Sequence, residues 1–137
     1  MILDPWNDGF KGNAYPNVLA YPNNKTTGLV SAFRINKEEY NWDNSINYTP
    51  PAKENLIIYE LLVRDFLNAH SYKAIADSIE YFKRLGINAL QLMPVMEFEG
   101  NISWGYNVSF FMAPDKYYGS VNALKNLIEV CHKNCLS

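Results

Sequence analysis

Residues 87–119 read INALQLMPVMEFEGNISWGYNVSFFMAPDKYYG, and the fold of the chain turns on how this stretch is understood. Its opening, INALQLM, is a short apolar run closed by Pro94. Parallel strands covered on both faces lack polar alternation, so the run predicts a buried strand. A long aromatic crossing follows, carrying Glu97, Glu99, Trp104, Tyr106, Tyr117 and Tyr118 and punctuated by Gly100, Gly105 and Gly119. Long loops that leave the carboxyl ends of parallel strands are where α/β proteins build their sites.

The flanking sequence supplies the partners such a strand needs. Leu56–Val63 predicts another strand, with Glu60 and Arg64 interrupting it and Arg64-Asp65 near its carboxyl end. Ser71 is a good N-cap for a helix to Leu85, and Gly86 stops it. Tyr72, Ile75, Ile79, Phe82 and Leu85 form one stripe at three- and four-residue spacing, while Lys73, Asp77, Glu80 and Lys83 point away. That makes a βαβ unit, which should cross over right-handed. Ser120 caps a last helix that turns Ala123, Leu124, Leu127, Ile128 and Cys131 inward, with Asn134 as its left-handed stop.

In order, LQLMPV, EFEGN, SWGYN and FFMAPDKYYG resemble the second strand and following loop of the α-amylase family of glycoside hydrolases (family 13). Within it the chain is most similar to branching-enzyme and isoamylase-like members. LIIYELLVRDF resembles that family's first barrel strand, and SYKAIADSIEYFKRLGINALQLMPV its first helix and second strand. The resemblance covers Leu56 to the chain end. Val108 stands where many relatives carry Pro, and Leu62 where many branching-type members carry His. The implied fold is a (β/α)8 barrel of about 250 residues, of which this chain has enough for about two βα units. Residues 56–137 are thus expected to be the first part of a TIM barrel, truncated before its third strand.

Residues 1–55 have a different texture, with Pro5, Pro16, Pro22, Pro50 and Pro51, many Asn, and only Thr26–Phe33 as a plausible strand. By resemblance they form the tail of a β-sandwich module plus a connector. Their aromatics, Trp6, Phe10, Tyr15, Tyr21, Phe33, Tyr40, Trp42 and Tyr48, are expected to cover the barrel's flank. Stacking on sugar is the functional alternative.

Retaining hydrolysis or transfer at an α-glucosidic bond needs two carboxyl groups about 5 Å apart. The family's catalytic carboxylates come from its fourth, fifth and seventh strands, so no catalytic residue is expected in this chain. Tyr106 of SWGYN is the position the resemblance carries over, as the ring that stacks on the glucose beside the cleaved bond, with Trp104 and Asn107 shaping the same wall. An aromatic face offers apolar contact to the sugar and favours positive charge developing nearby. Glu97 and Glu99 could form an independent pair, but nothing in the sequence faces them; solvated or loop-bracing carboxylates are the plainer reading. Asp65 or Glu60 reads as a structural carboxylate, and His70 as a loop or capping residue.

The 137 residues are 48% hydrophobic and 15% aromatic, which suits one globular domain. A net charge of −2, from 14 acidic and 12 basic side chains, offers no field for nucleic acid. No apolar run approaches the roughly 18 residues of a membrane span. MILDPWNDGF lacks the basic start and apolar core of a secretory signal. Cys131, His132 and Cys135 are too few and too close to the end for a zinc site, so free thiols and no metal or cofactor are expected.

Three readings follow: part of an α-glucan-active enzyme, inert alone; a non-catalytic sugar-binding module; or a gene remnant. The expected partner is an α-glucan poly- or oligosaccharide. Open sheet edges add a tendency to self-association.

Overall fold

A computed structural model describes residues 2–3, 31–32, 39–43, 46–98, 103–115 and 117–137. Ile2–Leu3 (β1) and Ser31–Ala32 (β2) pair antiparallel, so the described part of the Thr26–Phe33 strand is β2. The predicted βαβ unit follows. Ile58–Leu61 (β3) and Ala89–Leu92 (β4) run parallel, with Ile58 beside Ala89 and Leu61 beside Leu92.

The first of these strands is shorter than Leu56–Val63. At its start, the Asn88 side chain accepts from Ile57 N–H at 2.7 Å and donates to the Asn55 carbonyl at 2.8 Å. At its end, Leu62 is already the N-cap of a short helix, Val63–Phe66 (α1). β4 also departs from expectation, because Gln91 is exposed and the face it shares with Ile58 and Glu60 is largely open.

Ser71 caps the next helix, its Oγ accepting from Ala74 N–H at 3.3 Å, and Gly86 ends the helical stretch in the left-handed region at φ 73°. Between them the expected single helix is two, Tyr72–Asp77 (α2) and Ile79–Leu85 (α3). The break has a local cause. Ser78 Oγ donates back to the Ala74 carbonyl at 2.8 Å, a bond that competes with the helix ladder and bends it. Tyr72, Ile75 and Phe82 are buried as the stripe predicts, whereas Leu85, the last residue of α3, is exposed.

The long crossing is not all loop. Met96–Phe98 (β5) and Val108–Pro114 (β6) form an irregular antiparallel hairpin. The last helix is Val121–Lys133 (α4), capped by Ser120 Oγ accepting from Ala123 N–H at 3.1 Å. It buries Leu127 and Cys131, but Ile128 is exposed. The left-handed residue after α4 is Cys135 (φ 60°), and not Asn134. Asn134 stays right-handed, with its side-chain amide on the Val130 carbonyl at 2.8 Å. Leu136 N–H then reaches the Cys131 carbonyl at 2.9 Å and Cys135 N–H the His132 carbonyl at 3.1 Å, a Schellman closure.

One core joins these pieces. Leu61, Val63, Tyr72, Ile75, Phe82, Phe98, Tyr118, Leu127 and Leu136 are buried together. Phe82 stacks on Phe66 at 5.3 Å and meets Tyr59 edge-on at 5.4 Å. After α4, Ser137 lies on the outer edge of β4: its N–H donates to Asn88 O at 2.9 Å, and its carbonyl accepts from Leu90 N–H at 2.8 Å. Two bonds straddling Asn88 and Leu90 are what a further parallel neighbour would make.

Tyr40, Trp42, Asp43 and Tyr48 pack along α4. Tyr40 O–H and Asp43 N–H both donate to the Glu129 carboxylate, and Lys133 pairs with Asp43 at 3.2 Å. Lys125 lies over the rings of Tyr40 and Trp42, and Tyr48 stacks on His132 at 4.2 Å. For these three aromatics, flank packing is what the structure shows. Trp6, Phe10, Tyr15, Tyr21 and Phe33 lie outside the described residues. Among the described residues no helix is long and apolar enough to cross a membrane.

Candidate functional site

Trp104, Tyr106 and Asn107 come together on one turn, Ser103–Asn107, that leads into β6. The turn is built on its smallest residue. Gly105 is buried with φ 88°, a conformation that L side chains rarely adopt. A Cβ there would stand 3.0 Å from Pro94 O, 3.1 Å from Pro94 Cβ and 3.4 Å from Phe98 Cδ1. The backbone therefore lies directly on Pro94, two residues past β4. Burying Gly105 turns its two neighbours outward: Trp104 is 62% and Tyr106 68% exposed.

Ser103 ties the turn internally. Its Oγ accepts from Gly105 N–H at 3.1 Å and donates to Asn107 Oδ1. Arg64, at the other strand's end, donates from Nη1 to the Ser103 carbonyl at 2.8 Å. The turn thus sits beyond the carboxyl ends of both parallel strands, against Arg64 after β3 and Pro94 after β4. Sequence reading named Tyr106, Trp104 and Asn107 as candidates but did not name among them Arg64, which holds the turn that carries them. The signal was the VRD run, where a long cation at a strand's carboxyl end has only the next loop to reach.

Carboxylates near the turn are structural in their settings. Asp65 chelates Arg64, and hydrogen bonding to that guanidinium holds its carboxyl below the usual range despite partial burial. Glu60 accepts from Gln91 Nε2 at 3.1 Å across the β3–β4 pair. Glu97 is buried on β5, so it is not a solvated carboxylate, and Glu99 lies outside the described residues. Asp115 is also buried; its Oδ1 accepts from Tyr117 N–H at 2.7 Å, which folds the DKYY segment back on itself. Burial, with Asp115 adding to it, pushes the Tyr72 and Tyr118 hydroxyls up, so both rings serve as neutral packing.

Near the chain end, the Cys131 thiol is pushed up to about 11 by burial, which suppresses the thiolate a metal would need. Cys135 is exposed, and the His132 ring is engaged with Tyr48. His70 has φ 47° and bonds the Arg64 carbonyl through Nδ1, which makes it a loop residue.

The profile of the alpha-amylase catalytic domain matches residues 23–137. The chain belongs to the α-amylase family. It is 30% identical over 106 residues to a malto-oligosyltrehalose trehalohydrolase of Saccharolobus solfataricus, covering 77% of this chain and 19% of that protein. It is 36% identical over 103 residues to the 1,4-alpha-glucan branching enzyme of Picrophilus torridus, covering 71% of this chain and 14% of the relative. A Salmonella typhimurium chain solved as an alpha amylase superimposes with a TM-score of 0.67 at 28% identity, covering 72% of this chain and 17% of that one. This α-amylase-family chain therefore spans less than a fifth of the length of either of these two curated relatives.

Proposed function

We propose that this α-amylase-family chain contributes the opening of a catalytic (β/α)8 barrel that works on α-glucans, and that its Ser103–Asn107 turn is a wall of the glucose site. The observation that carries the reading is the display of Tyr106 and Trp104, flanking the buried Gly105 and mostly exposed, on a turn seated beyond the carboxyl ends of two parallel strands. That end of a barrel is where its chemistry is done. A fixed aromatic face suits the apolar face of a pyranose, and Asn107 adds a polar group beside it. Ser137 bonded along the outer edge of β4 supports further parallel strands in the complete sheet.

In this reading residues 1–55 are the tail of a preceding β-sandwich module with its connector, and residues 56–137 are the first two βα units. Retaining chemistry belongs to the complete enzyme, because it requires a nucleophile and an acid/base about 5 Å apart. In this chain Glu97 is buried, Glu60 is bonded to Gln91 on the neighbouring strand, and Asp65 is paired with Arg64. The pure chain should release no reducing sugar from starch or glycogen. Steady turnover by a single-species preparation would overturn that part of the proposal.

Binding without catalysis is a second reading, favoured by the same exposed rings. Native gels cast with glycogen test it: retardation that Tyr106→Ala abolishes supports a working sugar wall in the isolated chain. Equal mobility with and without glycogen leaves the chain only as a part of the larger enzyme.

A further inference from the structure

We propose that Arg64 is the positioning residue of the Trp104–Tyr106 sugar platform, with Asp65 fixing the plane in which its guanidinium must lie. The inference deepens the reading of the turn as a glucose wall and rests on it. The geometry is a three-way use of one fork. Nε and Nη2 donate to Asp65 Oδ1 and Oδ2 at 2.7 and 3.0 Å, and Nη1 donates to the Ser103 carbonyl at 2.8 Å. A bidentate carboxylate locks the guanidinium's plane, so the remaining nitrogen has one direction in which to donate.

Exposure separates this from an ordinary surface ion pair. The Arg64 side chain is 18% exposed and that of Asp65 58%, so the carboxylate faces solvent while the cation lies beneath the turn. A pair that only faced water would contribute little. Here the carbonyl it holds belongs to Ser103, whose hydroxyl receives Gly105 N–H and binds Asn107. Fixing that carbonyl fixes the register of the whole turn, and with it the directions of Trp104 and Tyr106. Apolar contact could not do this alone, since Gly105 is the turn's buried residue and offers no side chain. His70 completes the support by bonding the Arg64 carbonyl, which holds the backbone from which the fork projects.

The test compares the full chain with Arg64→Lys, Asp65→Asn and Tyr106→Ala by amide hydrogen exchange and maltoheptaose binding. Lysine keeps the charge but cannot bridge Asp65 and Ser103 in one plane. Exchange at Gly105 should accelerate about tenfold in Arg64→Lys and less in Asp65→Asn, with Leu61, Phe82 and Leu90 unchanged. Maltoheptaose affinity should fall about tenfold in Arg64→Lys, as expected for losing a charge-assisted bond. Tyr106→Ala should abolish binding while Gly105 stays slow. Unchanged Gly105 exchange in both fork variants would overturn the proposal, and so would equal acceleration in the core. A wild-type chain that does not bind maltoheptaose overturns the sugar reading, and the Gly105 result then shows whether the anchor itself also failed.

Discussion

The two faces of the β3–β4 pair divide its eight residues four and four, and they differ sharply in how much of each is covered. Tyr59, Leu61, Leu90 and Leu92 face the helices and join the core with Phe82 and Ile75. On the other face Ala89 is buried, but Ile58, Glu60 and Gln91 are exposed, and the centre of that face is a polar bond between Glu60 and Gln91. An apolar run therefore specifies a strand, but the helices decide which side is core. The bare face is the one a closed barrel would enclose, and the turn bearing Trp104 and Tyr106 lies at its rim.

The largest expected effect tests that asymmetry directly. Phe82→Ala should destabilise the chain by about 3–5 kcal/mol, since its ring is wholly buried and the site cannot refill. Ile58→Ala, on the open face, should stay within about 0.5 kcal/mol. Urea melts of both variants measure the difference, and similar costs would mean that the open face is covered in solution. Gly105→Ala comes next, at about 1–3 kcal/mol, because it adds a Cβ 3.0 Å from Pro94 O in a left-handed backbone. Loss of glycogen retardation should accompany it, tying the rim to the core beneath.

Smaller effects sharpen the comparison at the edges. Cys135→Gly should raise stability by about 0.5–1 kcal/mol in thermal melts, because a left-handed non-glycine closes α4 there. A loss instead would mean that the chain does not turn at that residue. The smallest effect is that of Asp65. Its folded carboxyl is depressed by Arg64, so its contribution is present above the ordinary carboxylate value and is lost as pH falls through the lower folded one. Asp65→Asn should flatten the acid side of the stability profile slightly, lowering stability a little at neutral pH and leaving it nearly unchanged once the folded carboxyl is protonated.

What could be read from the sequence divides along the range of the forces involved. Ser71, Gly86 and Ser120 act on their own neighbours, and each caps where local chemistry predicts. The break at Ser78 depends on which way one hydroxyl turns, and a helical stripe does not encode that. Asn134 was the natural left-handed stop, but its side chain found Val130, and the turn moved to Cys135. The β5–β6 hairpin was hidden because its register is irregular and its strands hold too little alternation to announce themselves. At the site, Trp104, Tyr106 and Asn107 were visible as a motif. Arg64 was not, because its bond to Ser103 spans 39 residues and exists only once both strands are in place.

The most direct test of the glucose wall uses the chain's three tryptophans as their own controls. Maltoheptaose is titrated while the three indole N–H signals are followed by NMR. The account predicts that the Trp104 signal shifts and saturates while those of Trp6 and Trp42 stay in place. Shifts at Trp6 or Trp42 with Trp104 unmoved would place sugar binding in the N-terminal segment and contradict it.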